Sequence, residues 1–180
     1  MDKYIDYSKN GDITSIKAFE YYDTLMPVEI NFMIGRWRGS SYKTNATLDG
    51  LLEESGWFGK EFIDSENVHP LVYFKSDRQN TFILNPLWMY LRNISLLNFA
   101  KKHTTILRKT ILFLGFIIST KNPKARLRMV EHRGKLSAAM VYDDKAIIDS
   151  FRKIDDNTVL GFMDSKELPE PFFFILTREN

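Results

Sequence analysis

The sequence predicts a mainly β protein: an antiparallel β-barrel with an N-terminal helix and a helical insertion. The first observation behind this is Gly35-Arg36-Trp37-Arg38-Gly39, a tryptophan between two glycines at the head of a β-run. Glycines there let backbone bend or approach closely, and an indole can plug the end of a barrel. The second is the last third of the chain, where strand-like runs alternate with hairpin turns. The third is composition: 44% hydrophobic and 14% aromatic residues in 180 are enough for one well-buried core.

Taken in order, Asp12 caps a helix through Ile16, Phe19, Tyr22 and Leu25 that Pro27 stops. Residues 34–42 suit a strand, and Thr47 caps a short helix carrying Leu48, Leu51 and Leu52 that Gly56 ends. Trp57–Phe62 returns to strand, and 71–75 pairs with 81–84 around Asp77-Arg78-Gln79-Asn80. Pro86 opens a largely helical insertion over 86–119. A meander follows: 126–132 and Lys135–Tyr142 flank Arg133-Gly134, 146–154 and 158–163 flank Asp155-Asp156-Asn157, and 172–177 follows Pro169 and Pro171. With the earlier strands this gives about eight to ten, the range in which a sheet closes around one small ligand. One domain over 1–180 is expected, made of a half at 1–120 and the meander at 121–180.

The chain has no cysteine, which removes disulfides and thiolate metal sites and suits a reducing compartment. Met1-Asp2-Lys3-Tyr4-Ile5-Asp6-Tyr7 lacks the basic-then-apolar layout of a secretory signal, so a cytoplasmic setting is expected. A net charge of +2 gives no argument for nucleic acid as a partner. The basic residues do cluster, however: Lys101, Lys102, His103, Arg108 and Lys109 precede the apolar run 111–118, and Lys121, Lys124 and Arg126 follow it. That run is far short of the roughly 20 residues a bilayer requires. It is a buried helix or an interfacial one, and 107–118 could serve as core, as a lid or as a transient membrane contact.

Gly35-Arg36-Trp37-Arg38-Gly39, Gly56-Trp57-Phe58-Gly59-Lys60, His69-Pro70-Leu71 and Val130-Glu131-His132-Arg133-Gly134 occur here in the order of one bacterial group. In these motifs the chain resembles the GXWXG family. Tyr142-Asp143-Asp144, the segment 147–152 and Gly161-Phe162-Met163-Asp164 resemble the companion C-terminal domain of unknown function, with Ser150 where that resemblance places a histidine. The resemblance covers most of the chain and implies no established activity. The Gly-x-Trp start is also similar to the calycins, the lipocalin and fatty-acid-binding barrels, and this is an analogy of fold. It implies that a late arginine packs over Trp37 to close the barrel, either Arg178 or Arg152.

Among candidate ligand-binding residues, Trp57 lies between Gly56 and Gly59 with Lys60 beside it, a cation next to an aromatic surface that suits an acidic head group. Alternation places Lys60 and Phe62 on one strand face; the ordinary reading is a solvated outward lysine, because an inward one needs a carboxylate or a ligand anion. Asp149, between Ile147 and Phe151 on an otherwise apolar face, is a buried partner for Lys60 or an arginine, or a general base. Arg126, Arg128 and His132 share a face, ordinarily outward, that would meet a carboxylate or phosphate if it pointed in. His69 is the histidine to test as an acid/base group or haem ligand, and His69, His103 and His132 show no metal-ligand spacing. No GxSxG, P-loop or GxGxxG pattern occurs.

The functional expectation is an intracellular binding or carrier protein for a small hydrophobic or amphipathic molecule. Phe172, Phe173, Phe174 and Ile175 would furnish walls, Lys60 or Arg128 would meet a head group, and no cofactor is required. The alternatives are a barrel enzyme, an isomerase or hydrolase of an apolar substrate using Asp149 or His69, and a haem-binding barrel.

Overall fold

Thr14, Asp49 and a series of turns set where the helices and strands begin. The structure, a computed structural model, describes residues 14–89, 91–168 and 170–179. Helix α1 (Ser15–Thr24) starts at Thr14, whose side chain accepts the Lys17 amide; the expected cap, Asp12, lies outside the described residues. The turn ahead of α3 (Leu51–Ser55) is organised by Asp49, whose carboxylate accepts the Thr44 and Ala46 amides, so Thr47 does not act as the cap. Two short elements carry no sequence signal: β1 (Met26–Pro27) and α2 (Ile30–Met33).

The remaining strands are β2 (Gly35–Ser41), β3 (Trp57–Phe62), β4 (Val68–Phe74), β5 (Thr81–Ile83), β6 (Ala125–His132), β7 (Lys135–Tyr142), β8 (Ile147–Asp155), β9 (Thr158–Ser165) and β10 (Phe172–Arg178). They form one antiparallel sheet of ten strands in the order β1-β8-β7-β6-β4-β3-β2-β10-β9, with β5 on β4. Because β8 also pairs with β9, eight of them close into a ring. Both halves expected from the sequence contribute to this one sheet.

Two seams in the ring are thin. Between β7 and β8, the chain at β1 takes over the β8 edge: Met26 pairs with Lys153 and Pro27 with Arg152. Ser137 secures this wedge by receiving the Val28 amide and donating to Phe151 O at 2.7 Å. Between β4 and β6 the register holds one pair, Val68 with Ala125, helped by bonds from the Lys124 amide to Val68 O and from the Leu127 amide to Ser65 O. Between β5 and β6 in sequence lies the helical segment, with a 3-10 turn (Pro86–Trp88), α4 (Ile94–Lys102) and α5 (Thr104–Ile118). Its two ends are clasped to each other by the Leu84–Ser119 bridge and the bond from Asn85 N to Ile118 O, which is how an insertion leaves a sheet undisturbed. No helix among the described residues is long and apolar enough to cross a membrane.

Side chains follow the pleat, so the ring has an apolar interior and a second apolar layer outside it. Phe172 and Phe174 point in, whereas Phe173 and Ile175 point out and meet Ala18, Phe19 and Tyr22 of α1. Four consecutive residues of β10 therefore cannot all be interior walls, and only two of them are.

One end of the interior is packed by Trp37, which is fully buried. The last carbonyls of a helix have no partner within it. At the end of α2, Met33 O accepts Trp37 Nε1 at 2.7 Å, and Arg178 donates to Ile34 O at 2.8 Å and to Phe32 O at 2.6 Å. The Arg178 guanidinium lies 4.2 Å from the Trp37 ring centroid. Arg152, the other candidate, sits on the outer layer against Tyr22 and bonds His132 O, so the lock belongs to Arg178. Arg178→Ala removes two charge-assisted hydrogen bonds and a cation–π contact, for an expected loss of about 3 kcal/mol in urea unfolding. Arg178→Lys, without the planar fork, should restore less than half of that; full recovery by lysine would show that charge alone holds this end.

Candidate functional site

The opposite end of the interior is where the polar exceptions to the pleat accumulate. In β3 the register slips between Trp57 and Gly59 and again between Gly59 and Glu61. Such bulges shift the phase of alternation, so Trp57, Lys60 and Phe62 all face inward while Phe58 faces out against Phe74. Lys60 is thus buried, with 2% of its side chain exposed, and the ordinary outward reading of it fails.

The partner of Lys60 is Asp149 of β8, at 2.8 Å and with no exposure. β3 and β8 stand four steps apart in either direction round the ring, so the pair crosses its interior. The ammonium also reaches Pro70 O at 3.3 Å. Three rings surround it: Phe174 at 5.1 Å, and Trp57 and Tyr142 each at 5.7 Å. Burial pushes the Asp149 carboxyl up, against the pull of Lys60.

Above this pair lies a cavity of about 270 Å³. β-strands give it Leu71, Phe172 and Phe174, and helices α3, α4 and α5 roof it with Leu51, Leu97 and Ile111. Its polar end holds Lys60, Tyr142 and Trp57. Trp57 Nε1, the Tyr142 hydroxyl and Asp149 Oδ1 are buried without a hydrogen-bond partner among the described residues. Each orphaned group costs roughly 1–3 kcal/mol. Burial, reinforced by the Asp149 charge, pushes the Tyr142 phenol well above its ordinary range, so its hydroxyl stays a donor.

Of the residues singled out from the sequence, Trp57 and Lys60 line the cavity and Asp149 stands behind Lys60. Two do not belong. His69 pairs in register with Glu61, the outward neighbour of Lys60 and Phe62, and residues opposite one another share a face. Its imidazole is held low by burial and is absent from the cavity wall, as are His103 and His132. Neither the haem reading nor a His69 acid/base role has its imidazole there. Arg128 follows the inward Leu127 and so points out, bonded to Glu66 at 2.8 Å. Among the described residues no cluster of three or more His, Asp or Glu side chains is placed to hold a metal ion.

Sequence reasoning read Tyr142 as the last residue of a strand and did not single it out for the site; the alternation of Ala138, Met140 and Tyr142 along β7 is the signal that places it inside. It also left the faces of the insertion open. Leu107, Ile111 and Ile118 of α5 turn toward the cavity, while Phe113 and Phe116 are 81% and 85% exposed.

Residues 20–78 match the family described as GXWXG protein, and residues 123–178 match a domain of unknown function, DUF4334. The chain belongs to the GXWXG family. A crystal structure of a protein from Thermomonospora curvata is 32% identical over 96% of this chain and 93% of its own, with a TM-score of 0.69. No curated protein is similar enough to match. The motif glycines of the family now have physical roles. A Cβ on Gly39 would lie 2.2 Å from the Trp57 ring, and one on Gly56, at φ 101°, would lie 2.2 Å from an Arg108 nitrogen.

Removing one member of a buried ion pair strands the other. Lys60→Met is expected to cost about 3–5 kcal/mol in chemical denaturation, and adding Asp149→Leu should recover most of it. Equal destabilisation of the single and double variants would show that the two charges are not coupled.

Proposed function

We propose that the protein binds a small apolar or amphipathic molecule in the cavity and carries it, as a calycin-like barrel with a helical roof. The observation that carries this reading is an apolar chamber lined by Trp57 and Tyr142, whose Nε1 and hydroxyl are buried without a hydrogen-bond partner among the described residues. Ligand sites combine just these features: mostly apolar walls and a few placed polar groups, in volumes of roughly 300–1,000 Å³. The cavity, at about 270 Å³, suits a compact ligand or a short alkyl chain. A hydroxyl, carbonyl or carboxylate group on it would satisfy the donors. A cytoplasmic setting agrees with a chain free of cysteine.

The roof supports exchange with a lipid surface. Phe113 and Phe116 stand outward on α5, with Lys102 and Lys109 nearby in sequence and also exposed. Exposed aromatics beside cations suit brief contact with an anionic bilayer surface. A second reading, an enzyme for an apolar substrate, draws on one observation: Asp149, pushed up by burial, lies close enough to raise Tyr142.

Binding of the neutral probe N-phenylnaphthylamine, displaced by dodecanol, tests the carrier reading. Leu97→Trp fills the cavity and should weaken the probe at least tenfold, about 1.4 kcal/mol; unchanged affinity would place the probe elsewhere. Phe113→Ser with Phe116→Ser should leave equilibrium binding intact and slow probe transfer from anionic vesicles several-fold. Unchanged transfer would make that surface irrelevant to exchange.

A further inference from the structure

Trp57 is the wall of a second cavity as well. This one, about 200 Å³, is bounded by Arg38, Arg78 and Arg108, with Glu53, Phe74 and the two motif glycines Gly39 and Gly56. Its charges do not balance. Among the described residues Glu53 is the one carboxylate in the lining, and its oxygens are taken by Ser41, the backbone amide on Oε1 and the hydroxyl on Oε2 at 2.8 Å.

The arginines lack what others on this protein have. Arg36, Arg126, Arg128 and Arg133 each face a carboxylate at 3.0 Å or closer. Arg38, Arg78 and Arg108 form no ion pair among the described residues. Arg38 rests over Phe74 at 5.6 Å, and Arg108 reaches Lys75 O at 3.4 Å. Arg78 occupies a left-handed position, φ 55°, in a turn whose acid, Asp77, is spent on the Gln79 and Asn80 amides. Burial, and after it the like charge of Arg78, makes the Arg108 proton easier to lose. Convergence of three guanidiniums against repulsion is what an oxyanion site requires, and guanidinium forks match phosphate oxygens in geometry.

We propose that this second cavity is a binding site for a phosphate dianion, either inorganic phosphate or the phosphomonoester head of an amphipathic ligand. Three cations less Glu53 leave two positive charges, matching a phosphomonoester near neutral pH, whose charge is about −1.5 to −2. The site itself is independent of the apolar ligand; only the amphipathic version rests on the carrier reading, through the shared Trp57 wall.

Calorimetric titration of the full chain with inorganic phosphate at fixed ionic strength tests the site. Saturable binding is expected, at least tenfold weaker in Arg78→Gln/Arg108→Gln and unchanged in Arg126→Gln, with near-ultraviolet circular dichroism confirming that all three fold. No saturable binding to the wild type, or equal binding by the double variant, overturns the site. Dodecyl phosphate separates the two sources. An affinity at least tenfold above phosphate, with the gain lost in Leu97→Trp, assigns the site to a ligand's head, and equal affinity assigns it to free phosphate. Phosphate binding that persists where N-phenylnaphthylamine does not bind defeats the carrier reading and leaves the anion site standing.

Discussion

A single ion pair across the ring, Lys60 to Asp149, governs how the interior is divided. Taking both charges out of water costs several kcal/mol each, and a hydrophobic pair of like volume is often as stable or more so. The arrangement makes that cost bearable by enclosing the ammonium between Phe174, Trp57 and Tyr142 and giving it a backbone carbonyl besides the carboxylate. Because the two strands face each other across the ring, the pair fixes their spacing and forms the floor between a packed end and a hollow one.

The two ends use the same residue types to opposite effect. At the packed end Trp37 and Arg178 saturate the carbonyls that close α2, so the indole and the guanidinium are fully engaged by the fold. At the hollow end Trp57 keeps a buried N–H without a partner, and Arg38, Arg78 and Arg108 line one cavity without forming an ion pair, among the described residues. Satisfied polar groups hold a fold together, and unsatisfied ones next to a cavity are what a ligand can complete. The insertion makes the hollow end possible, since its clasped ends leave β4 and β5 intact while α4 and α5 span the opening.

Much of this was legible in the sequence because it depends on local periodicity. Trp57–Phe62 and Lys135–Tyr142 run between the same residues in sequence and structure, and the alternation around Asp149 showed it to be a buried acid in need of a cation. What could not be read were the phase slips and long-range pairings. The slips on either side of Gly59 let Trp57 face inward together with Lys60, and the pairing of His69 with Glu61 comes from register across two strands; neither follows from counting residues along one strand. α2 and β1 are too short to carry a period, yet they supply the carbonyls for Arg178 and the wedge at β8. The arginine cluster was invisible for the same reason: Arg38, Arg78 and Arg108 come from a strand, a turn and a helix that only the closed ring brings together.

The most direct measurement of the central claim is native mass spectrometry of the full chain, freshly purified and again after incubation with a total lipid extract, followed by solvent extraction. The account requires an added mass at one molecule per chain that extraction recovers as an apolar or amphipathic compound. The bare protein mass in both preparations would contradict it.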